Sequence, residues 1–268
     1  MAAGGVRWAP MLPAALERLE TTVPDEALVL DVGGWGAPLN RADWVLDAQP
    51  YDTRGPDGSH GEVRERFTAR TWVTRDACDR TPWPFRDNQF DVAVCVMTLA
   101  DLRDPIWVCS ELSRVAKSGY VEVPTIVSEL LQHEGDDAGG QHLGYAHRRW
   151  FVQMEGGELV FVHKTHDIHH DWSLRISQRW QERMTVADER QGLFWEGTLP
   201  ARERLLLSPA DHRHLRDDLA AHLHRRFEPT AAELVVRQGW GVARQGLYLV
   251  GQPLRTVTSR MVDRIVGR

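Results

Sequence analysis

The sequence predicts an α/β protein built on a doubly wound, mostly parallel sheet, with an added hairpin and a helical C-terminal region. Short apolar runs recur between residues 27 and 124, and most are apolar at both odd and even positions. Strands of that kind are buried on both faces, as in a parallel sheet covered by helices. A segment of helical periodicity separates the last two runs, which is the pattern of a right-handed crossover between parallel strands.

The elements follow in order along the chain. MLPAALERLETTV predicts a helix packed before the sheet, and residues 103–117 predict a second helix behind an Asp-Pro start. The runs predicted as strands read ALVLDV, DWVLD, RTWVTRD, FDVAVCV and GYVEVP. RWFVQMEGGELVFVH then predicts a hairpin that turns at Gly156 and Gly157.

The remainder of the chain is predicted to be mixed. The patterns found there are helical at 172–184 and 209–227, and typical of short strands at 192–196 and 246–250. With 268 residues the chain can hold one main domain and a smaller addition. We therefore expect a core with its hairpin at residues 1–165 and a C-terminal region at residues 166–268 that shapes a pocket.

Composition narrows the classes of partner and compartment. The net charge of −6 comes without a basic stripe, so nucleic acid is not expected as a partner. No stretch is long enough to span a bilayer and MAAGGVRWAPML has no signal-peptide pattern, so we expect no membrane partner and a cytoplasmic protein. The scattered cysteines Cys78, Cys95 and Cys109 are interpreted as small buried side chains rather than a disulfide framework.

The stretch ALVLDVGGWGAPLNRADWVLD brings carboxylates and bare backbone together at one edge of the predicted sheet. Ligands of an open parallel sheet bind beyond the carboxyl ends of its strands, and glycines there let a ligand approach the main chain closely. An acid that ends the second strand typically accepts hydrogen bonds from two ribose hydroxyls, so this edge predicts a nucleoside site. The residues concerned are Asp31, Gly33, Gly34 and Gly36 after the first strand and Asp47 at the end of the second.

Two features of this glycine turn leave alternatives open. A dinucleotide fingerprint needs a helix whose N-terminus holds the pyrophosphate, but Pro38 and the nearby second strand leave little room for one. Taken alone, the glycines are as compatible with a tight structural turn as with a ligand loop. Trp35 is expected either to cover the ligand or to cap the turn.

The following region resembles class I S-adenosylmethionine-dependent methyltransferases. The residues that carry the resemblance are RDACDRTPWPFRDNQFDVAVCVMTLADLRDPIWVCSELSRVAKSGYVEVP, where that family often reads D-A-x-x-L-P-F, S-F-D-x-V, L-x-D-P and E-L-x-R-V-x-K-x-G. The similarity runs in order and spacing from Ala27 to Pro124. It implies a Rossmann-like class I fold, S-adenosylmethionine as the cofactor and methyl transfer as the activity. The GGWGAP turn and HRRWFVQMEGGELVF are similar to a subgroup of bacterial methyltransferase-domain proteins.

The resemblance also implies a role for each residue at this edge. Asp31 and the glycines would lie against the methionine part of the cofactor, and Asp47 would take the ribose. Asp76 with Ala77 would meet the adenine, the carboxylate accepting from the exocyclic amine while the main chain reads a ring nitrogen. Asp76 can also be interpreted as an acid that caps its own loop. The residues expected to line the methionine side are Val96 and Met97.

Candidate catalytic residues follow from the chemistry of the acceptor. Methyltransferases with this pattern often have a Glu-His pair where this chain has Ala100 and Asp101, so no histidine base is inherited there. An acceptor hydroxyl must lose a proton, which a histidine with a pKa of about 6.5 can accept at neutral pH. We predict His147, beside the start of the hairpin, as the first candidate base, and Asp101 in the sheet-edge loop as a further candidate. His147 can also be interpreted as a surface or hydrogen-bonded structural histidine. The weaker candidates are His142, Tyr145 and His163.

The predicted function is S-adenosylmethionine-dependent methyl transfer to a small molecule, either a sugar or a natural-product intermediate, by a chain compatible with a homodimer. Two alternatives remain. The missing Glu-His pair also suits a non-catalytic S-adenosylmethionine-binding partner or regulatory subunit. The run HKTHDIHHD, residues 163–171, suggests a metal-assisted enzyme, but its spacing matches no firm ligand template and no metal site is predicted.

Overall fold

The structure is a computed structural model, and it describes residues 11–54, 64–131, 143–176, 178–227 and 235. The chain divides into two compact units that alternate along the sequence. The first unit contains the predicted sheet and the hairpin, and its described residues are 11–54, 64–125, 147–163 and 185–205. Those of the second are 126–131, 143–146, 164–176, 178–184, 206–227 and 235. The functional division predicted at residue 165 stays a prediction.

Parallel strands form the centre of the first unit, and all of the predicted runs are among them. They are β1 (Val29–Val32), β2 (Trp44–Asp47), β3 (Trp72–Thr74), β4 (Phe90–Val96) and β5 (Ala116–Pro124). They lie side by side in the order β3-β2-β1-β4-β5, and every neighbouring pair is parallel. The predicted mostly parallel sheet is therefore confirmed.

Alternate residues of these strands enter two separate apolar clusters. Leu30, Val121 and their same-parity neighbours pack in one cluster, while Val29 and Val94 pack in the other. Such two-sided burial is the reason that the runs are apolar at both parities.

One helix covers each face of the sheet. Helix α1 (Pro13–Thr22) buries Ala15 and Leu19 in the cluster that holds Val29. Helix α2 (Pro105–Val115) begins at Asp104, whose side chain accepts from the Trp107 N–H, and it packs against the opposite face. Helix α2 was predicted to extend to residue 117, but it ends at Val115 because Ala116 already pairs with Phe90 of β4.

The hairpin is present as predicted. Strands β6 (Trp150–Glu155) and β7 (Glu158–His163) pair antiparallel around Gly156 and Gly157, which both have positive φ. Strand β8 (Arg190–Glu196) joins the main sheet antiparallel to β5, and β9 (Ala201–Glu203) pairs parallel to β7. The predicted strand at 192–196 thus begins two residues earlier than expected.

Four further helices lie in the described residues, and the last of them matches the helix predicted at 209–227 to within one residue. They are α3 (His166–His169), α4 (Gln178–Gln181), α5 (Val186–Glu189) and α6 (Pro209–Arg226). Helical pieces were predicted over 172–184, and the described residues of that segment contain a 3-10 turn at Trp172–Leu174 and the four residues of α4. The strand predicted at 246–250 lies outside the described residues. Across the described ranges, no helix has the length and apolar character needed to cross a membrane.

Candidate functional site

The chain changes direction in the sheet at β1, and this creates the candidate site. Strands β2 and β3 extend the sheet on one side of β1, whereas β4 and β5 extend it on the other. Open α/β sheets bind ligands in the crevice at such a switch point, beyond the carboxyl ends of the strands. Val32 pairs with Leu46 and Asp31 pairs with Val94, so the loops that follow β1, β2 and β4 emerge at the same edge.

Two glycines in the loop after β1 leave no room for a side chain. Gly33 has φ +79°, and its N–H donates to the Leu46 carbonyl at 2.9 Å. A Cβ atom on Gly33 would collide with the side chain of Thr98, and one on Gly34 would lie 2.7 Å from Asp31 Oδ1. Gly36 is buried in the same turn. The described loop between β1 and β2 contains no helix, as the short connection predicted.

Asp31 is a buried carboxylate directly beneath this loop. Only 2% of its surface is exposed, and Oδ2 accepts from the Leu39 N–H at 2.7 Å. Burial and, to a smaller extent, the nearby charge of Asp47 raise the pKa of Asp31 to about 7, against the lowering effect of that hydrogen bond. The site therefore holds a carboxyl group that is poised to change charge near neutral pH.

Asp47 ends β2 and is oriented by the main chain. Its Oδ2 accepts from the Trp35 N–H at 3.0 Å and its Oδ1 accepts from the Gln49 N–H at 2.7 Å. Burial raises the pKa of Asp47, while these two hydrogen bonds lower it. A carboxylate has about four lone-pair positions, so two N–H donors leave capacity for two hydroxyl donors. The carboxylate thus suits a ribose, and bare glycine backbone lies beside it.

Trp35 connects the glycine loop to the segment after β2. Its indole Nε1–H lies 3.0 Å from the Thr53 carbonyl oxygen and 3.1 Å from Thr53 Oγ1. The ring also packs against the apolar cluster on the α1 face. This favours the capping role of the two roles predicted for Trp35.

A threonine that the sequence did not single out ties the loops after β1 and β4 together. Thr98 Oγ1 lies 3.2 Å from the Gly33 carbonyl oxygen and 3.0 Å from that of Val96. Between them, Met97 has φ +55°, an uncommon conformation for a residue with a side chain, and its N–H donates to the Glu122 carbonyl at 2.7 Å. Val96 and Met97 thus lie at the switch point, opposite the glycine loop.

Asp76 lies two residues beyond the end of β3, in a turn that it helps to form. Its Oδ1 accepts from the Cys78 N–H at 2.8 Å, and its Oδ2 lies 2.5 Å from Arg103 Nη1. The neighbouring Ala77 is buried, and its carbonyl accepts from Trp83 Nε1 at 3.1 Å. Asp76 therefore caps its own loop, which was one of its two interpretations, and these contacts hold its carboxylate in place.

The two predicted catalytic residues lie near each other. His147 Nε2 is 3.9 Å from Asp101 Oδ2, with the histidine side chain 62% exposed and the aspartate side chain 34% exposed. The contact arises because the Arg149 N–H donates to the Ala100 carbonyl at 2.8 Å, which places the start of the hairpin against the loop after β4. At 3.9 Å the pair is an electrostatic contact rather than a hydrogen bond.

The remaining candidate bases and the histidines of the 163–171 run lie in different parts of the structure. His163 packs edge-on against Trp150, with ring centroids 5.6 Å apart, and His142 lies outside the described residues. Tyr145 is half-buried in the second unit. In that unit His166 packs on His170, and His169 Nδ1 lies 3.2 Å from the Leu143 carbonyl. In the part of the chain that the structure describes, no three His, Cys, Asp or Glu side chains are grouped to hold a metal ion.

A buried carboxylate next to the site was not anticipated. Glu122 is fully buried in β5 and accepts from the Leu12 N–H and the Tyr120 hydroxyl, both at 2.8 Å. Arg190 Nη1 lies 3.1 Å from its other oxygen. Burial and the charge of Glu122 raise the pKa of Tyr120. The sequence signal that could have revealed Glu122 is an acid within an apolar strand, because a buried acid needs buried partners.

Comparison with known proteins identifies the segment that carries this site. A family model described as a methyltransferase domain matches residues 30–121, about a third of the chain. None of the curated proteins matches the chain.

Two solved structures illustrate the similarity to known folds. An S-adenosylmethionine-dependent methyltransferase from Mesorhizobium loti is 12% identical over 56% of this chain and 62% of its own, with a TM-score of 0.32. A SAM-dependent methyltransferase from Thermotoga maritima is 20% identical over 41% of this chain and 49% of its own, with a TM-score of 0.27.

Both TM-scores are low, and the chain spans less than two thirds of the length of either structure. The similarity therefore depends on the segment that matches the family model and on the strand order. The matched residues contain all of β1 except Val29, together with β2 to β4, α2 and the first part of β5. They also contain every predicted cofactor residue: Asp31, Gly33, Gly34, Gly36, Asp47, Asp76, Ala77, Val96 and Met97. Residues 30–121 therefore match a methyltransferase domain, which implies S-adenosylmethionine as the cofactor.

Proposed function

We propose that the protein transfers a methyl group from S-adenosylmethionine to a small-molecule acceptor. The observation that carries the proposal is the bare glycine loop at the switch point, with the buried carboxylates of Asp31 and Asp47 beside it. This arrangement provides a hydroxyl-binding acid and close backbone approach in a segment that matches a methyltransferase domain.

Each part of the cofactor has a proposed partner at this edge. Asp47 binds the ribose hydroxyls, and Asp76 with the main chain at Ala77 binds the adenine. The methionine part lies along the backbone of Gly33, Gly34 and Gly36, with Asp31 beneath these glycines. Val96 and Met97 line its other side. Burial raises the pKa values of Asp31 and Asp47, and a positively charged ligand beside them would favour their ionised forms.

The chemistry asks little of the protein beyond placement. When bound, S-adenosylmethionine supplies a methyl carbon on a sulfonium sulfur, which the acceptor atom displaces in line. Holding two reactants in the correct orientation is worth about 7–11 kcal/mol of barrier. The rigid loops tied by Thr98 and by the Met97 N–H supply that fixed geometry.

We assign His147 as the group that takes the acceptor proton, with Asp101 3.9 Å away to stabilise the resulting imidazolium. The exposed position of His147 lets an acceptor reach it. This assignment favours a hydroxyl acceptor, such as that of a sugar or a natural-product intermediate, because a hydroxyl needs a base more than an amine does. The net charge of −6 supports a small acceptor over nucleic acid, and a cytoplasmic homodimer is the proposed setting.

Calorimetry with S-adenosylhomocysteine tests the cofactor assignment. Asp47→Ala should weaken binding at least tenfold, since it removes the charge-assisted hydrogen bonds to the ribose. Asp52→Ala, which changes an exposed acid in the turn after β2, is the matched control and should bind as the wild type does. If the stripped wild-type protein binds neither S-adenosylmethionine nor S-adenosylhomocysteine, the proposal is wrong.

Transfer of a labelled methyl group to a panel of sugar, phenol and amine acceptors tests the reaction. His147→Ala should lower transfer to hydroxyl acceptors about 100-fold, the contribution typical of a general base, and should affect amine acceptors much less. Equal losses on both acceptor types would contradict the role of His147. Tight cofactor binding with no transfer to any acceptor would favour the non-catalytic partner instead.

A further inference from the structure

Two ion pairs of opposite polarity connect the loop after β3 to the start of α2. Asp76 of the loop pairs with Arg103, and Arg80 of the loop pairs with Asp104, each at 2.5 Å. Trp107 adds a third link, since its Nε1 donates to the Asp79 carbonyl at 3.1 Å. Only the first of these links involves a residue assigned to the cofactor.

Arg103 contacts the loop at two points. Nη1 pairs with Asp76 Oδ2, and Nη2 donates to the Cys78 carbonyl at 3.2 Å. The Cys78 N–H in turn donates to Asp76 Oδ1 at 2.8 Å. The planar guanidinium and the Cys78 backbone thus hold both carboxylate oxygens, and the side chain of Asp76 cannot rotate without breaking one of these bonds.

The contribution of this ion pair to fold stability is small. The side chains of Arg103 and Asp76 are 57% and 47% exposed, and exposed pairs of this kind stabilise proteins little. Its effect is instead to fix the direction of one carboxylate at the place where the adenine is assigned.

We propose that Arg103 is a positioning residue that makes the nucleoside site selective for a 6-amino purine by fixing the carboxylate of Asp76. This inference rests on the proposed function, because it takes Asp76 as the partner of the exocyclic amine. An ionised carboxylate only accepts hydrogen bonds, so it attracts an amino group and repels the oxo group of hypoxanthine at the same position. A fixed carboxylate enforces that difference, whereas one that is free to turn away relaxes it.

The test compares two probes, S-adenosylhomocysteine and S-inosylhomocysteine, by calorimetry on the full chain. The ratio of their Kd values measures selectivity for the amine. Arg103→Gln should lower that ratio about tenfold, the size expected for one charge-assisted hydrogen bond, and Arg103→Lys should recover part of it. Arg80→Gln is the matched control, because it breaks the other ion pair without touching Asp76, and it should leave the ratio unchanged.

A double-mutant cycle separates positioning from a general loosening of the loop. In an Asp76→Asn background, Arg103→Gln should cause no further loss of selectivity, because the carboxylate through which it acts is gone. An unchanged ratio in Arg103→Gln, an equal fall in Arg80→Gln, or a full effect in the Asp76→Asn background would each overturn the inference. If Arg103→Gln does not fold, the ratio of Kd values is measured in Arg103→Lys instead. A ratio equal to that of the wild type in this variant would overturn the inference.

Failure of the proposed function has a different signature. Wild-type protein that binds neither probe contradicts the cofactor site itself. Wild-type protein that binds both probes equally keeps the cofactor site but overturns the selectivity assigned to Asp76 and Arg103.

Discussion

Gly33 combines a left-handed backbone with a contact that excludes any side chain. Its φ of +79° disfavours L residues, and a Cβ atom would collide with Thr98. Gly33→Ala should therefore lower the free energy of unfolding by about 2–4 kcal/mol, which combines the cost of the conformation with that of overpacking. Urea unfolding measures the change.

Gly157 provides the control for that substitution. It has φ +87°, but no atom lies within 4 Å of the position that a Cβ would take, so Gly157→Ala should cost only the conformational part, about 1–2 kcal/mol. Equal costs at the two glycines would show that the contact with Thr98 is not tight.

Asp31 makes the stability of the domain depend on pH. Its pKa is raised from 3.8 to about 7 by burial, so the folded protein holds this proton more tightly than the unfolded chain does. The stabilising contribution is fully present below about pH 4 and is lost as the pH rises through about 7. Asp31→Asn mimics the protonated form and keeps an oxygen to accept from the Leu39 N–H.

The unfolding free energies of wild type and Asp31→Asn, measured from pH 4 to pH 8, check this sign. The variant should match the wild type near pH 4 and exceed it by several kcal/mol at most near pH 8, at about 1.4 kcal/mol per pKa unit. Asp52→Asn, at an exposed site, should show no such divergence. A variant less stable than wild type at pH 8 would contradict the assigned cause.

The acids of the site could be predicted from the sequence, but the residues that hold the site in place could not. Asp31 and Asp47 stand out because each ends an apolar run, and Asp76 lies in a family-like motif. Thr98 and Arg103 gain their roles from contacts with residues 65 and 27 positions away, respectively. Such contacts depend on strand order and register, which no local pattern states.

At the scale of elements, Glu122 ties α1, β5 and β8 together. Its buried carboxylate joins the Leu12 N–H at the start of α1 to Arg190 at the start of β8. Arg190→Met should lower the free energy of unfolding by about 3–5 kcal/mol, because it leaves a buried charge without its partner. Urea unfolding checks the value.

The exposed ion pairs of Arg202 offer a matched comparison. Arg202 pairs with Glu155 and Glu158 while its side chain is 44% exposed, so Arg202→Met should cost less than about 1 kcal/mol. Pairing Arg190→Met with Glu122→Gln should restore part of the lost stability. No restoration in that double variant would argue against charge as the cause.

Elements with strong two-sided or alternating patterns were predicted best. The strands of the parallel sheet and the hairpin were located within a few residues, since their burial is dictated by neighbouring strands. For 172–184 the sequence predicted only helical pieces without bounds, and the described residues there form a 3-10 turn and one short helix.

At the scale of the molecule, the sequence predicted the sheet but not the alternation of the two units. Residues 147–163 and 185–205 return to the first unit after the chain has entered the second. That return brings β8 against β5 and places His147 beside Asp101. A linear division into domains cannot show such a pattern, because periodicity describes each segment and not its neighbour in space.

The loop between β1 and β2 turns without forming a helix, and this shapes the electrostatic character of the binding edge. A helix N-terminus at that position would present about half a positive charge, which attracts phosphate groups. Here no helix N-terminus is present in the described loop, so a phosphate group gains no dipolar attraction, and an ionised Asp47 at the end of β2 would repel it. Without that attraction, this edge favours a nucleoside that carries no phosphate group at this position.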